Sequence, residues 1–453
     1  MQDMGMHRSR PLIVVAAMIA LTGCTSASDP KDDDSARSGS SSVAGGDGPN
    51  FSTLTPYPEP TSNELPEAPD GFEPVFAQFV ARHGARSLTD GELLADTIAL
   101  WKKARDADAL TAAGEKFGPD AERLRTAMRK VGFGQLSTLG KEEMQGIGTR
   151  AGERLSSMFE TALDDGARVD IFDSGKARAR ASARNFSRGL NSTQPDLEIE
   201  PSDTDENTLK FDSENNEYED FLEDGPWISA YNQQRKQSGI DQAAADTLKH
   251  LYTPEFVKGL KNKLYWANGI FDVYRSGPAM SGDVDVDTTP VMPAKAAEAF
   301  VYVDDGRYFY SRGPGLEGDD GSYQAAQILL DDFFTVIDDR LQDRGAHPHA
   351  AVYRFAHAEE ITPFASLIEL PGADEQGKPG EVYTHENNDF RVSTVAPLSS
   401  NIEWVVWGDG DTHIVSVSHN EVPTTVGRDC ELYEDTKNFY ELEELRTCLG
   451  ATS

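Results

Sequence analysis

One short stretch of the sequence combines residues that could bind and transfer a phosphoryl group. His83 stands between Arg82 and Gly84, and Arg86 follows three positions after the histidine. Arginine presents planar, permanently charged N–H donors to phosphate oxygens, and a neutral imidazole nitrogen can attack phosphorus as a nucleophile. Glycine lets the backbone approach a ligand closely. The stretch therefore predicts a phosphate site with a histidine nucleophile.

A second group of polar residues has a similar setting later in the chain. His357 follows an apolar run at 350–356, and Glu359 comes two residues after it. A general acid is needed because an alkoxide is a poor leaving group at neutral pH. Arg178 is expected at the start of a helix that follows the short apolar run 169–172, where free backbone N–H groups also favour an anion.

Three predicted strands must position these side chains. The apolar runs 75–81, 169–172 and 350–356 each end shortly before one of the polar groups, and helical patterns such as 90–103 and 141–158 lie between them. In an open α/β sheet, ligands bind at the carboxyl ends of the strands. The pattern therefore predicts an α/β fold that gathers the polar groups at one edge of the sheet.

These segments carry a resemblance to a known family. The sequence Arg-His-Gly-Ala-Arg at 82–86 resembles the signature of the histidine phosphatase superfamily, in its acid phosphatase and phytase branch, and the spacing of residues 178–190 is similar too. His357-Ala358-Glu359 resembles the multiple inositol polyphosphate phosphatases, whereas most members of the branch have aspartate directly after this histidine. The resemblance extends over most of 69–453.

The resemblance implies a fold and a division of the chain. The fold class is α/β, with a phosphoglycerate-mutase-like central mixed sheet flanked by helices. The phosphatase domain is expected at 68–453, with its core at 68–193 and 346–453. A mostly helical cap is expected at 194–345.

The resemblance also implies the roles of the site residues. His83 is the expected nucleophile and Glu359 the expected acid; the expected phosphate ligands are Arg82, Arg86, Arg178 and His357. Neither a metal nor a cofactor is expected, since zinc motifs with Cys-x-x-Cys or His-Glu-x-x-His are missing from the sequence. The expected reaction is hydrolysis of phytate or other inositol polyphosphates. Two alternatives stay open: a broad-specificity acid phosphatase, and a lipoprotein that binds phosphorylated ligands without turnover.

The charge of the chain limits its partners. The 453 residues include 77 acidic and 42 basic side chains, which gives a formal net charge of −35. So negative a protein is not expected to bind nucleic acid or an anionic membrane surface. Positive charge for a phosphorylated substrate must therefore be local to the pocket.

The amino terminus predicts export. Basic residues precede an apolar run at 11–21 that ends in Leu-Thr-Gly-Cys24, which resembles a bacterial lipobox. We expect a signal peptide at 1–23, a lipid on Cys24 and a disordered tether at 24–67, so that the domain is anchored to the cell membrane facing outside the cytoplasm. In that oxidising setting Cys430 and Cys448 are expected to form a disulfide.

Overall fold

A mixed β-sheet lies at the centre of the structure, a computed structural model that describes residues 48–164, 166–342 and 349–451. Its strands are β1 (Glu73–Arg82), β2 (Arg168–Asp173), β3 (Asp203–Thr204), β4 (His349–Ala356), β5 (Asn401–Gly408), β6 (His413–His419), β7 (Val422–Thr424) and β8 (Phe439–Glu441). They lie in the order β3-β2-β4-β1-β5-β6-β7, and β8 pairs with β6. The expected fold class, an α/β protein with a central mixed sheet, is confirmed.

In the parallel half of the sheet, the carboxyl ends of the strands are aligned with one another. Strand β4 pairs in parallel with β1 on one side and with β2 on the other. Arg82 lies opposite Ala356, so His83 and His357 are the next residues on two neighbouring strands. Strand β5 runs antiparallel to β1 on its other side. The carboxyl ends of β1, β2 and β4 therefore open onto one edge of the sheet.

Helices cover the sheet and form the insertions. In chain order they are α1 (Glu92–Asp106), α2 (Ala112–Val131), α3 (Thr138–Arg154), α4 (Ser156–Asp164), α5 (Ala177–Thr193), α6 (Glu206–Leu209), α7 (Phe211–Glu214), α8 (Asn216–Asp224), α9 (Trp227–Gln237), α10 (Ile240–Leu251), α11 (Pro254–Lys258), α12 (Lys263–Ser276), α13 (Ala294–Ser311), α14 (Gln327–Leu341), α15 (Ala358–Leu367), α16 (Val392–Val395) and α17 (Leu442–Cys448). No helix in the described ranges is long and apolar enough to cross a membrane.

Alternate residues of β1 face two different apolar cores, as the twofold period of a strand requires. Phe79 packs with the aromatic rings of Phe186, on α5, and Tyr353, on β4. Val80 belongs to the other core, which includes Phe333 of α14. The sheet is thus covered on both faces, which explains why its strands are nearly continuous runs of apolar residues.

A third core divides the helices differently from the predicted cap. Apolar side chains of α1 and α2 pack with those of α10, α12 and α13. The cap was expected to comprise only 194–345, but its main core includes these two earlier helices. Conversely, α14 lies within the expected cap range and packs against the sheet. Helical periodicity locates the apolar face of a helix but does not identify the partner of that face.

The packed part of the chain begins before the expected boundary at residue 68. Ser52, Leu54 and Tyr57 are buried, and Ser52–Leu54 forms a turn of 3₁₀-helix. The tether was predicted because Ser, Asp, Gly and Pro dominate its composition, but Phe51, Leu54, Tyr57 and Leu65 near its end pack into the hydrophobic cores. The expected signal peptide, Cys24 and the tether up to residue 47 lie outside the described residues.

Near the carboxyl terminus, a disulfide joins Cys430 to Cys448. Their Cα atoms are 5.5 Å apart, and 18 positions separate them in the sequence. The bond ties the last helix, α17, to the loop that follows β7.

Candidate active site

The pairing of β1 with β4 brings two histidines together at the open edge of the sheet. The His83 amide donates a hydrogen bond to the Ala356 carbonyl, 3.0 Å away. The rings of His83 and His357 lie edge to face, with their centroids 5.4 Å apart. Two residues far apart in sequence are thus fixed as neighbours by the register of the backbone.

The His83 ring is held in one tautomer. Its Nδ1 lies 3.0 Å from the carbonyl oxygen of Gly84, which can only accept a hydrogen bond. Nδ1 therefore carries the proton of the neutral ring, and Nε2 keeps its lone pair. Burial, together with the charges of Arg86 and Arg82, lowers the pKa of His83 well below its ordinary value. The ring is consequently neutral at physiological pH and has a free nucleophilic nitrogen.

Three arginines surround this nitrogen with positive charge. Arg82 donates to the Ala396 carbonyl at 2.6 Å, and Arg86 donates to the carbonyl of the next residue at 2.8 Å. The Nε groups of Arg82, Arg86 and Arg178 are buried and have no hydrogen-bond partner among the described residues. Burial and the charges of the other two arginines lower the pKa of Arg86 to about 9. It still carries its charge at neutral pH, so unpaired cationic donors are available to an anion.

Ser174 fixes the second histidine from the neighbouring strand. The Ser174 Oγ lies 2.8 Å from Nε2 of His357, and its amide donates to the Phe355 carbonyl at 3.1 Å. His357 Nδ1 is buried without a partner in the described part of the chain. Burial, followed by the charge of Arg178, lowers the pKa of His357 to about 3. Ser174 was not predicted from the sequence, although it directly follows the second strand.

Glu359 lies at the start of α15 among these cations. Burial by itself raises the pKa of its carboxyl, but Arg312, His357 and Arg82 more than offset that effect and lower the pKa to about 2. Arg312 directly follows α13 and was missed in the sequence. The only signal for it is the spacing of four between Tyr308 and Arg312, which places both on one helix face, and the Arg312 guanidinium lies 5.9 Å from the Tyr308 ring centre.

The neighbouring carboxyl, Glu360, is engaged elsewhere. Its Oε2 accepts the hydrogen bond of the His357 amide at 3.1 Å, so it caps α15. The side chain of Asp212, on α7, is a close carboxyl neighbour. Burial, then the charges of Asp212 and Glu359, raise the pKa of Glu360 well above its ordinary value. Burial and the two neighbouring carboxyls thus favour the protonated form of Glu360.

The structure thus brings six predicted residues into one site. The charges of Arg82, Arg86 and Arg178 act on both histidines, and the carboxylate of Glu359 acts on each of the three arginines. A neutral imidazole, unpaired arginine donors and one carboxyl are the groups needed for transfer of a phosphoryl group through a covalent histidine.

Comparisons with known proteins agree with this geometry. The multiple inositol polyphosphate phosphatase of Bifidobacterium longum, solved in complex with inositol hexasulfate, has a similar structure, with a TM-score of 0.80 and 25% sequence identity over 88% of this chain and 97% of that chain. Phytase A of Neurospora crassa is 30% identical over 136 residues, 30% of this chain and 25% of the phytase. Multiple inositol polyphosphate phosphatase 1 of Dictyostelium discoideum is 39% identical over 94 residues, 20% of this chain and 15% of the relative.

The two sequence alignments span a quarter or less of those relatives' own length. The family match is broader, since the model described as the histidine phosphatase superfamily (branch 2) matches residues 75–420. This range runs from the first predicted strand to beyond β6 and includes both histidines and Glu359. The resemblance seen in the sequence is confirmed, and so is the expected enzyme class, a histidine-type phosphatase. The chain therefore belongs to branch 2 of the histidine phosphatase superfamily.

Proposed function

We propose that the chain hydrolyses phytate and other inositol polyphosphates through a phosphohistidine on His83. The observation that carries the proposal is the state of this ring: neutral, with Nδ1 tied to the Gly84 carbonyl and Nε2 free among unpaired arginine donors. A site that only bound phosphate would need the cations but no free imidazole nitrogen. This argues against a binding lipoprotein without turnover.

In the first half of the reaction, Nε2 of His83 forms a bond to phosphorus while the bond from phosphorus to the leaving oxygen breaks. Arg82, Arg86, Arg178 and His357 hold the phosphoryl oxygens, where negative charge is spread in a loose transition state. Glu359 takes a proton from the monoanion of the phosphate ester and passes it to the leaving alkoxide. For His357 to donate from Nδ1, Ser174 must donate to its Nε2, which the 2.8 Å contact permits.

In the second half, water attacks phosphorus and the bond between phosphorus and Nε2 breaks. Glu359, now ionised, takes a proton from that water. Orthophosphate leaves and His83 returns to its neutral form. The atoms and charges balance, so this chain's own residues complete the cycle.

Support for inositol polyphosphates as substrates comes from the comparisons. The relative from Bifidobacterium longum was solved with inositol hexasulfate, whose sulfates resemble the phosphates of phytate in size and charge. A broad-specificity phosphomonoesterase is the second candidate. The observation in its favour is the acidic pair Asp212 and Glu360 beside Glu359, which repels highly charged ligands.

The test compares two substrates and one variant. Phosphate release from phytate should exceed release from a simple alkyl phosphate at equal concentration, and His83→Ala should abolish both. Brief mixing of the wild type with labelled substrate, followed by alkaline denaturation, should trap phosphate on His83. Equal rates on both substrates would favour the broad phosphatase, and turnover by His83→Ala would exclude the phosphohistidine route.

We also propose that the enzyme acts outside the cytoplasm, anchored through a lipid on Cys24. The lipobox-like sequence supports this location, and a disulfide such as Cys430–Cys448 is typical of oxidising compartments. Expression in a bacterial host with Cys24→Ser should move the protein from the membrane to the soluble fraction. A wild type found in the cytosol would contradict the proposal.

A further inference from the structure

We propose that Glu143 is a positioning residue that holds the loop carrying His83 against the chain segment preceding β1. The inference rests on the proposed function, because it assigns Glu143 a part in the attack by His83. Glu143 lies in the second turn of α3, and neither its type nor its place in the sequence marks it as part of the site.

Each carboxylate oxygen of Glu143 accepts hydrogen bonds from the chain around His83. Its Oε2 accepts from the Ala85 amide at 2.9 Å and from the Ser399 hydroxyl at 2.6 Å. Its Oε1 accepts from the amide of Tyr57 at 3.1 Å. All three partners are donors, and a carboxylate is the only side chain that can accept all of them without offering a donor of its own.

Two of these partners adjoin the nucleophile. Ala85 is two residues after His83, and the Ser399 amide donates to the His83 carbonyl at 3.1 Å. Ser399 has a left-handed backbone, with φ of 63°, a conformation that needs support from its surroundings. Glu143 therefore holds the His83 loop directly through Ala85 and indirectly through Ser399.

The loop is confined on its other sides. The Gly84 amide donates to the Ser182 hydroxyl at 3.0 Å. A Cβ atom added at Gly84 would clash with the carbonyl oxygen of Gly140, so the loop lies directly on the first turn of α3. The Ala85 carbonyl accepts hydrogen bonds from the amide and the hydroxyl of Ser137, at 2.9 and 3.1 Å, and the Glu143 carboxylate fixes the Ala85 amide.

The third partner belongs to the segment that the sequence predicts to be a tether. The Leu398 amide donates to the Thr55 carbonyl at 2.9 Å. The Tyr57 hydroxyl donates to Glu421 at 2.9 Å and accepts from the Asn401 side chain at 3.0 Å. These bonds fix the Tyr57 backbone, so its amide is a rigid donor to Glu143. The segment lies outside the range 75–420 that matches the family.

A positioning role predicts a specific kinetic effect. Within the described ranges, Glu143 forms no hydrogen bond or ion pair with Arg82, Arg86 or Arg178, although its charge acts on Arg82. Loss of a nearby negative charge does not weaken the attraction of the arginines for an anion, so phosphate binding should be retained. A nucleophile misplaced by about 1 Å can slow the chemical step roughly 100-fold. The effect of changing Glu143 should therefore appear in kcat and not in the inhibition constant of orthophosphate.

The experiment compares Glu143→Ala, Glu143→Gln and Glu143→Asp with two controls. Glu142→Ala removes an exposed carboxylate from the same turn of α3. Tyr57→Phe removes the hydroxyl bonded to Glu421 and Asn401 but keeps the amide bonded to Glu143. For each variant, Tm, kcat and the orthophosphate inhibition constant are measured. The exchange of oxygen between labelled water and orthophosphate is measured as well.

Oxygen exchange separates this inference from the substrate proposal. In that reaction phosphorus bonds to Nε2 of His83 as one oxygen leaves as water, and water then reverses the step, so no organic substrate is needed. If the wild type exchanges oxygen but does not release phosphate from phytate, the proposed substrate is wrong. The role of Glu143 is then tested by comparing the exchange rates of the variants with that of the wild type.

We expect Glu143→Ala to lower kcat and the exchange rate about 100-fold, with the inhibition constant within about threefold of the wild type. Glu143→Gln keeps one acceptor oxygen in place, whereas Glu143→Asp keeps the charge but withdraws it by about 1.5 Å. The loss of kcat should therefore be smaller in Glu143→Gln than in Glu143→Asp. Glu142→Ala should match the wild type. Tyr57→Phe should lower Tm while kcat stays within about twofold.

Three results would overturn the inference. The first is an exchange rate of Glu143→Ala equal to that of the wild type. If the alanine variant does not fold, wild-type exchange rates in both Glu143→Gln and Glu143→Asp count in its place. The second is a better rate for Glu143→Asp than for Glu143→Gln, which would indicate a role of charge alone. The third is an equal loss of kcat in Tyr57→Phe and Glu143→Ala at equal loss of Tm, which would make Glu143 merely structural.

Discussion

Arg312, which directly follows α13, is the cation that acts most strongly on Glu359, at the start of α15. Burial raises the pKa of the Glu359 carboxyl, yet Arg312 and two further cationic or histidine neighbours lower it to about 2. The free enzyme therefore holds its acid in the ionised form over most of the pH range. The proton for the leaving alcohol has to arrive with the substrate.

This relationship predicts the pH dependence of kcat/KM. A phosphomonoester takes up its second proton near pH 6, so its monoanion can bring the proton that Glu359 then passes to the leaving oxygen. His83 has a pKa well below its ordinary value and stays neutral in mild acid. We expect kcat/KM for phytate to rise as the pH falls from about 8 to about 5. Initial rates of phosphate release check this, and a maximum above pH 8 would contradict it.

Substitution of Arg312 should move this profile. In Arg312→Gln the strongest charge that lowers the pKa of Glu359 is lost, so the pKa rises and the acid keeps its proton to higher pH. The acidic limb of kcat/KM, where Glu359 of the free enzyme gains its proton, should therefore shift toward higher pH, while the alkaline limb set by the substrate's second proton stays in place. Arg307→Gln, an exposed change on the same helix, is the matched control and should keep the wild-type profile.

Removal of the acid should depend on the leaving group. Glu359→Gln cannot donate a proton to an alkoxide, and the turnover of phytate should fall about 100- to 10,000-fold. With para-nitrophenyl phosphate the leaving phenolate needs no proton, so formation of the phosphoenzyme should be affected far less. Rapid-mixing measurement of the nitrophenolate burst tests this. Equal losses on the two substrates would show that Glu359 is not the acid.

Two arginines of α5 provide a matched pair for phosphate binding. Arg178 has an unpaired, buried Nε, whereas Arg180 is half-exposed and forms an ion pair with Asp173. Loss of a charged hydrogen bond to phosphate should make Arg178→Ala about 10- to 100-fold worse in kcat/KM. Arg180→Ala should remain within about twofold, as is usual for exposed ion pairs. Steady-state kinetics on phytate will separate them, and similar losses would contradict the assignment of Arg178.

The disulfide should contribute to stability and not to catalysis. Replacement of both Cys430 and Cys448 by serine removes a short cross-link and should lower the free energy of unfolding by about 3 kcal/mol. Denaturant unfolding with and without a reductant measures the difference, and reductant should have no effect on the double variant. A loss of kcat at a temperature where the double variant is folded would contradict this separation.

The core of the site could be predicted because its residues follow strands in sequence. One apolar run ends at Arg82, His83 and Arg86, and another ends at His357. The local sequence pattern therefore predicts where these residues lie. The parallel pairing of those strands then follows from the fold class. No long-range packing had to be known.

The remaining residues depend on contacts that periodicity does not encode. Arg312 acts on Glu359 because the carboxyl-terminal end of α13, with Phe309 and Tyr310, packs in the same core as α15. The hydrophobic pattern of a helix does not identify that partner. Glu143 contacts Ala85 through close packing of two glycines, Gly84 and Gly140. The segment at 50–57 was expected to be a tether because composition averages over residues and hides the few that are buried.

Because the pairing of β1 with β4 fixes the point of attack, the reaction and the choice of substrate can change independently in evolution. Phosphorus is attacked at a point set by adjacent backbones, and helices α10 and α12, whose apolar side chains belong to a core apart from the sheet, take no part in fixing that point. These helices can be lengthened, trimmed or exchanged without moving the point of attack. The bond-breaking step would survive such remodelling, so new substrates can be acquired without reinventing the reaction.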